Sequence, residues 1–246
     1  MPIYFILILL LSSCTSFQTK ELKYTYYGTD TLELENKSLD KQISSYRIQI
    51  DSQMNQIVSY SEVDLLKEQP ESNLGNWAAD AVQKQLIQYT GQKVDFSILN
   101  YGGLRTSGIP KGPIKKRQIF ELMPFDNMLV VVEMKGEELF LLWEHMMKKG
   151  GWPQSAELKL VVDADGTVSK SSTISDATVD RSRVYKVGTI DYLANGGDQS
   201  TFFVSKPKSE TGVILRDAVI AYLIDLNRRG VKVNTQKENR IEWIKK

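Results

Sequence analysis

Met128-Leu129-Val130-Val131-Val132-Glu133-Met134 holds an unbroken apolar run from Leu129 to Val132. A strand with one wet face alternates apolar and polar side chains, so a run without alternation predicts a strand buried on both faces. Directly after it, Glu137–Met147 reads as a helix closed by Gly150-Gly151. Upstream, Leu74, Trp77, Ala78, Ala81, Val82, Leu86 and Tyr89 recur at helical spacing, with Ser72 or Asn73 able to cap the start and Gly91 the end. Val94–Leu99 is a compact apolar run of strand length. Downstream, Leu158–Asp163 and Val168 flank Asp165-Gly166, a hairpin signal, and Val184–Ile190 is another strand. Leu215, Val219, Tyr222, Leu223 and Leu226 line a late helix ending near Gly230, and Arg240–Ile244 returns as a final strand. At the front, Leu39, Ile43, Tyr46, Ile50 and Met54 form one helical stripe, and Ile57–Tyr60 a short strand. Strands and helices mixed without a strict βαβ rhythm predict an α+β fold, a layered sandwich of mixed sheets and helices, in one domain over residues 37–246.

The sequence has 246 residues, 41% of them apolar, enough to bury an ordinary core. Lys and Arg number 31 against 30 Asp and Glu, a net charge of +1 that argues against a nucleic-acid footprint. A single Cys excludes an internal disulfide framework and Cys-based metal sites. A single His, His145, excludes any metal site built on two imidazoles; on its helix it reads as a structural or surface residue.

Ile3 to Leu11 is an apolar run too short to span a bilayer as a helix, followed by Leu11-Ser12-Ser13-Cys14. Residues 1–13 are therefore expected to be an export signal, and residues 14–36 a polar tether with a strand at Tyr24–Tyr27. The arrangement resembles the lipobox of bacterial lipoproteins, which implies lipidation of Cys14. Acyl chains hold a protein on a membrane without a spanning helix. Thr15 after the cysteine implies, by enterobacterial sorting rules, the outer membrane facing the periplasm.

Two glycine loops each follow a predicted strand: Asn100-Tyr101-Gly102-Gly103-Leu104-Arg105 and Asp191-Tyr192-Leu193-Ala194-Asn195-Gly196-Gly197-Asp198. Paired glycines permit positive φ and close approach of a ligand or another backbone. Arg105 offers a rigid donor fork suited to phosphate or carboxylate, and Asp198 accepts from paired hydroxyls. Neither loop has dinucleotide-fingerprint or P-loop spacing. Read alone, the loops are also consistent with tight structural turns in which Asn100 and Asp198 cap their own backbone. Lys111 and Lys115-Lys116-Arg117, beside the first loop, read as a solvated charged face; Trp77 and Trp143 read as core, and Trp152, between Gly151 and Pro153, as a loop-surface residue.

Glu71-Ser72-Asn73-Leu74-Gly75-Asn76 with Ala79-Asp80-Ala81, then Asn100–Arg105, then Leu122-Met123-Pro124-Phe125, then Tyr192–Asp198 occur in one order. In that order they resemble the C-terminal, substrate-binding domain of the 5'-nucleotidase/UDP-sugar hydrolase family, over roughly residues 37 to 205. The resemblance implies that Phe125 and Tyr192 clamp a base, that Asn100 hydrogen-bonds the nucleoside, that Arg105 reaches ribose or phosphate, and that Asp198 accepts from the ribose hydroxyls. The family often has Phe where Tyr192 stands, an Arg before the Glu-x-Asn-Leu-Gly segment where this chain has Lys67-Glu68-Gln69-Pro70, a Ser-Gly pair where it has Gln154-Ser155-Ala156, and Asp-Gly where it has Asp198-Gln199.

In that family a separate N-terminal metallophosphoesterase domain does the chemistry with two metal ions held by several histidines. With one His and no upstream length for such a domain, this chain is expected to hold no metal and no cofactor itself. It resembles the non-catalytic half of the enzyme. Three readings stand at this point: a nucleotide-binding component that presents a nucleoside phosphate to a separate metallophosphoesterase; a nucleoside- or nucleotide-binding envelope lipoprotein with no catalytic role; and a structural envelope protein on a borrowed fold.

Overall fold

The computed structural model describes Thr25 and residues 37–244. The expected export signal, Cys14 and the expected tether other than Thr25 lie outside the described residues; Thr25, the one described residue of the expected Tyr24–Tyr27 strand, is exposed and in no helix or strand. The chain divides into Met1–Ser44 and Ser45–Lys246. In the first unit the described residues form the start of helix α1 (Lys37–Met54), which takes the expected stripe as a helix, although Tyr46 and Ile50 along it are exposed. All strands among the described residues belong to the second unit.

There the chain runs through β1 (Ile57–Ser61), β2 (Leu65–Leu66), α2 (Asn73–Thr90), β3 (Phe96–Ser97), β4 (Gly108–Ile109), β5 (Gly112–Lys115), α3 (Lys116–Leu122), β6 (Met128–Lys135) and α4 (Gly136–Lys148). It continues with β7 (Leu158–Val162), β8 (Thr173–Ile174), β9 (Ala177–Thr178), β10 (Val184–Ile190), the single turn α5 (Asp191–Ala194), β11 (Lys208–Ile214), α6 (Leu215–Arg228) and β12 (Ile241–Trp243).

The central sheet has the order β11-β6-β10-β3, with β6 antiparallel to both neighbours and β3 parallel to β10. Residues of β3 show why β6 has no polar alternation. Successive strand side chains point to opposite faces. Phe96 meets Trp143 of α4, ring centroids 6.2 Å apart, while Ser97 donates to Gln83 of α2 at 2.5 Å. α2 and α4 therefore cover opposite faces, and Leu129, Val130, Val131 and Val132 are all buried between them. Each such side chain contributes about 1.5–3 kcal/mol as an upper estimate. α6 packs beside α2 and against β1.

Helix α2 starts where the sequence predicts: Ser72 Oγ accepts from the Gly75 N–H at 2.9 Å, and Gly91 ends it at φ 62°. Its N-terminal half is fastened to the C-terminal strand by a buried clasp. Arg240, 1% exposed, donates to both Asp80 oxygens at 2.8 and 2.7 Å, to Gln154 O at 2.7 Å and to Glu238. Glu71 accepts from Asn76 Nδ2 at 2.7 Å and from the backbone N–H groups of Glu238 and Arg240. The second sheet, β12-β7-β8-β9, pairs β12 in parallel with β7.

Three expectations change. The Val94–Leu99 run forms a ladder with β10 only at Phe96–Ser97; Ile98 still donates its N–H to Gly188 O at 2.9 Å and on its other side bridges Gln154. The turn at Asp165-Gly166 closes a hairpin that is shorter than expected: Asp163 N–H donates to Thr167 O at 2.9 Å, Ser169 N–H donates to Val161 O at 2.8 Å, and Val162 bridges Val168. Trp152 is 3% exposed and stacks edge-on with His145, so the glycine–proline setting marks a tight bend into the core rather than a surface loop.

Candidate functional site

Both glycine loops leave the same end of the central sheet. The first follows β3 and contains a short 3-10 turn at Tyr101–Gly103; the second follows β10 through α5. Since β3 and β10 are parallel neighbours, their following loops emerge side by side. Between them opens a cleft of about 250 Å³ lined by Asn100, Gly102, Gly103, Arg105, Phe125, Asn127, Tyr192 and Asp198. All five residues singled out as ligand contacts in the sequence thus share one cavity wall. Asn127 also lines it, and nothing in the sequence pattern points to it.

Asp198 cross-links the loops. Its carboxylate accepts from Asn100 Nδ2 at 2.6 Å and from the Tyr192 hydroxyl at 2.9 Å. A carboxylate has about four lone-pair positions, so it keeps acceptor capacity towards the cleft. Asn100 is 6% exposed, and its Oδ1 has no partner among the described residues. Two of the four loop glycines are required by close approach: a Cβ on Gly103 would lie 2.7 Å from Asn100 Oδ1, and one on Gly197 would lie 2.5 Å from the Tyr192 ring. Gly196 takes φ 93°, whereas at Gly102 a Cβ would meet only an ordinary contact, so that position is not dictated by space.

The two rings are nearly half exposed, Phe125 at 48% and Tyr192 at 44%. An exposed aromatic pair flanking a cleft offers π-faces to a planar ligand. Phe125 is carried by the turn between α3 and β6, and that turn is gripped from below by Arg216 of α6. The Arg216 guanidinium donates to Asp126 Oδ1 at 2.6 Å and to Pro124 O at 3.3 Å, with its Cζ 4.3 Å from the Phe120 ring centroid.

Arg105 differs from Arg216 in being exposed. Its one side-chain hydrogen bond among the described residues goes to Gly102 O at 3.2 Å, its guanidinium stands 5.7 Å from the Phe125 ring, and it has no ion-pair partner among the described residues. Its charge is therefore available to an anion in the cleft. Lys67, in the stretch where the family carries its second arginine, is already engaged: it donates to Leu104 O at 2.7 Å and sits 3.9 Å from the Tyr101 ring centroid. Burial, and then the neighbouring Arg105 charge, lower its pKa. Lys67 therefore supports the first loop. The basic cluster lies elsewhere: Arg117 pairs with Asp51 at 2.5 Å, and none of Lys111, Lys115, Lys116 or Arg117 lines the cleft.

Behind the second loop stands the one histidine. His145 Nε2 donates to Asp198 O at 3.0 Å, with the ring edge-on to Trp152 and Phe202. Burial lowers the imidazole pKa, so it is neutral at pH 7 with its proton on the nitrogen that faces the carbonyl. The chain's single histidine makes that bond, and among the described residues no three His, Cys, Asp or Glu side chains cluster to hold an ion.

Comparison with known proteins agrees with this architecture. The family model described as 5'-nucleotidase, C-terminal domain matches residues 51–205. Among curated proteins, the chain is 24% identical to the trifunctional nucleotide phosphoesterase YfkN of Bacillus subtilis, over 92% of this chain and 16% of that protein. It is 30% identical to UshA of Escherichia coli over 61% of this chain and 27% of that one. The solved 5'-nucleotidase precursor of Thermus thermophilus superposes with a TM-score of 0.69 at 26% identity, covering 84% of this chain and 43% of its own. The chain thus spans less than half the length of these relatives. It belongs to the family of 5'-nucleotidase C-terminal domains.

Proposed function

We propose that this chain binds a nucleoside phosphate in the Asn100–Asp198 cleft and presents it to a separate metallophosphoesterase, as the binding component of a 5'-nucleotidase-type nucleotide hydrolase. The observation that carries the reading is convergence: two exposed rings, a free guanidinium and a carboxylate from separate stretches of the chain line one cavity. Phe125 and Tyr192 sandwich the base, a contact that tolerates different bases because each has a π-face. Asn100 and Asn127 offer amide donors and acceptors to the nucleoside, Asp198 accepts from the ribose hydroxyls, and Arg105 pairs with the phosphate. The chemistry resides in the partner, which holds the two metal ions that such hydrolysis uses. A lipidated Cys14 tethers the protein to the outer membrane on its periplasmic side.

Calorimetry with AMP, adenosine and UDP-glucose tests the cleft. Phe125→Ala and Tyr192→Ala each weaken AMP binding by about 1–3 kcal/mol, the worth of a stacked base. No heat with any of the three ligands refutes the reading. Phosphate release from AMP with divalent metal tests the division of labour: the purified protein alone is inactive and gains activity with a metallophosphoesterase added. Turnover by the protein alone overturns the partner.

A further inference from the structure

We infer that the C-terminal end of α4 is a positioning device for the Asp198 carboxylate, with His145 on its last turn and Lys149 at its C-cap holding the Asp198–Gln199 turn in the conformation that aims Asp198 into the cleft. The inference rests on the nucleotide-binding reading above.

Asp198 and Gln199 both take left-handed backbone, φ 50° and φ 66°. That conformation crowds Cβ against the following carbonyl; aspartate tolerates it better than most residues with a Cβ, and glutamine does not share that tolerance. Two such residues in succession persist only where their surroundings over-determine them. The peptide that joins them is the one His145 grips, through Asp198 O at 3.0 Å. Lys149 Nζ donates to Gln199 Oε1 at 2.9 Å, and residues four apart on a helix share a face, so both side chains reach the turn from the same side. The imidazole is itself fixed by edge contacts with Trp152 and Phe202. If the peptide rotates, its carbonyl leaves His145, and the Asp198 side chain swings away from Asn100 and Tyr192. His145 touches the ligand nowhere in this scheme; it acts through Asp198.

The test separates the ribose contact from the rest of the ligand. Adenosine and 2',3'-dideoxyadenosine share the base, but only adenosine can donate to Asp198. The wild-type protein prefers adenosine, and Asp198→Ala abolishes the preference. His145→Phe, which keeps a ring between Trp152 and Phe202 and removes the donor, lowers adenosine affinity about tenfold, the loss expected for a hydrogen bond to a charged acceptor. It leaves dideoxyadenosine affinity within about twofold. His145→Gln, which can still donate to the carbonyl, restores much of the preference. Lys149→Met, at an exposed position that does not endanger folding, moves it in the same direction by a smaller factor. A His145→Phe protein, or a Lys149→Met protein if the first fails to fold, that retains the full preference for adenosine overturns the inference while the nucleotide reading survives. A wild-type protein that binds neither nucleoside nor AMP removes that reading, and the inference falls with it.

Discussion

Two arginines of this protein do opposite things. Arg240 is 1% exposed and its guanidinium is saturated by Asp80, Glu238 and Gln154 O; Arg105 is exposed and spends one hydrogen bond, 3.2 Å long, on Gly102 O. Both regions draw on the motifs that resemble the nucleotidase domain, since Glu71, Asn76 and Asp80 belong to the clasp. The difference is satisfaction. A polar cluster whose donors all find protein acceptors is holding the fold, while one that keeps exposed rings, an unpartnered Asn100 Oδ1 and an unpaired charge around a cavity is built for something else to arrive. Burial works against the Arg240 charge, but its bonds to Asp80 and Glu238 outweigh that cost and raise its pKa.

Breaking the clasp gives the largest effect. Arg240→Met leaves the partly buried Asp80 carboxylate with only the Ala156 N–H, at 2.9 Å, and Gln154 O without that donor, and removal of one member of a buried pair costs about 3–5 kcal/mol. Asp80 keeps 24% exposure, so the lower end applies, about 3 kcal/mol in a guanidinium chloride titration. The folded fraction still binds AMP. A loss below about 1 kcal/mol, the range of surface ion pairs, would place the clasp with decorative surface contacts.

Arg105→Ala tests the other arginine. Stability changes by less than about 0.5 kcal/mol, as for surface positions. AMP affinity falls about tenfold while adenosine affinity stays level, because the guanidinium meets only the phosphate. The wild-type preference for AMP over adenosine also shrinks with added salt, since an exposed charge pair is screened. Equal losses for AMP and adenosine would reassign Arg105 to the sugar or to the Phe125 ring beside it.

Range along the chain decides how much of the fold and the site is legible in the sequence. The long helices and the strands β6 and β10 announce themselves through local periodicity and apolar runs, and their ends fall within a residue or two of expectation. Strand β11 sends no such signal, because its polar residues Lys208–Glu210 form an exposed edge without alternation; α3, seven residues long, is too short to show a stripe. The five residues proposed to contact the ligand are legible because glycine loops and the family resemblance flag them. Asn127 carries no such flag. His145 is legible only as a histidine on a helix, since its acceptor lies 53 residues away and only the fold brings them together. The Glu71–Asn76 segment is visible, but its partner Arg240 lies far along the chain, so the clasp cannot be read from sequence.

The smallest effect concerns the strain shared by Asp198 and Gln199. A residue with a Cβ pays about 1–2 kcal/mol in left-handed backbone. At Asp198 that strain accompanies the carboxylate in the cleft; at Gln199 it accompanies only an exposed bond to Lys149. The family's common glycine after the aspartate removes the second strain without touching the first. Gln199→Gly should therefore stabilise the protein, by about 0.5 kcal/mol once the greater freedom of glycine in the unfolded chain is subtracted. AMP affinity then changes by less than about threefold, because His145 still grips the Asp198 carbonyl. Asp198→Gly relieves the same kind of strain yet loses the preference for adenosine over its dideoxy form. If Gln199→Gly destabilises instead, the Lys149 bond outweighs the backbone strain, and Gln199 contributes more to holding the turn than His145 leaves room for.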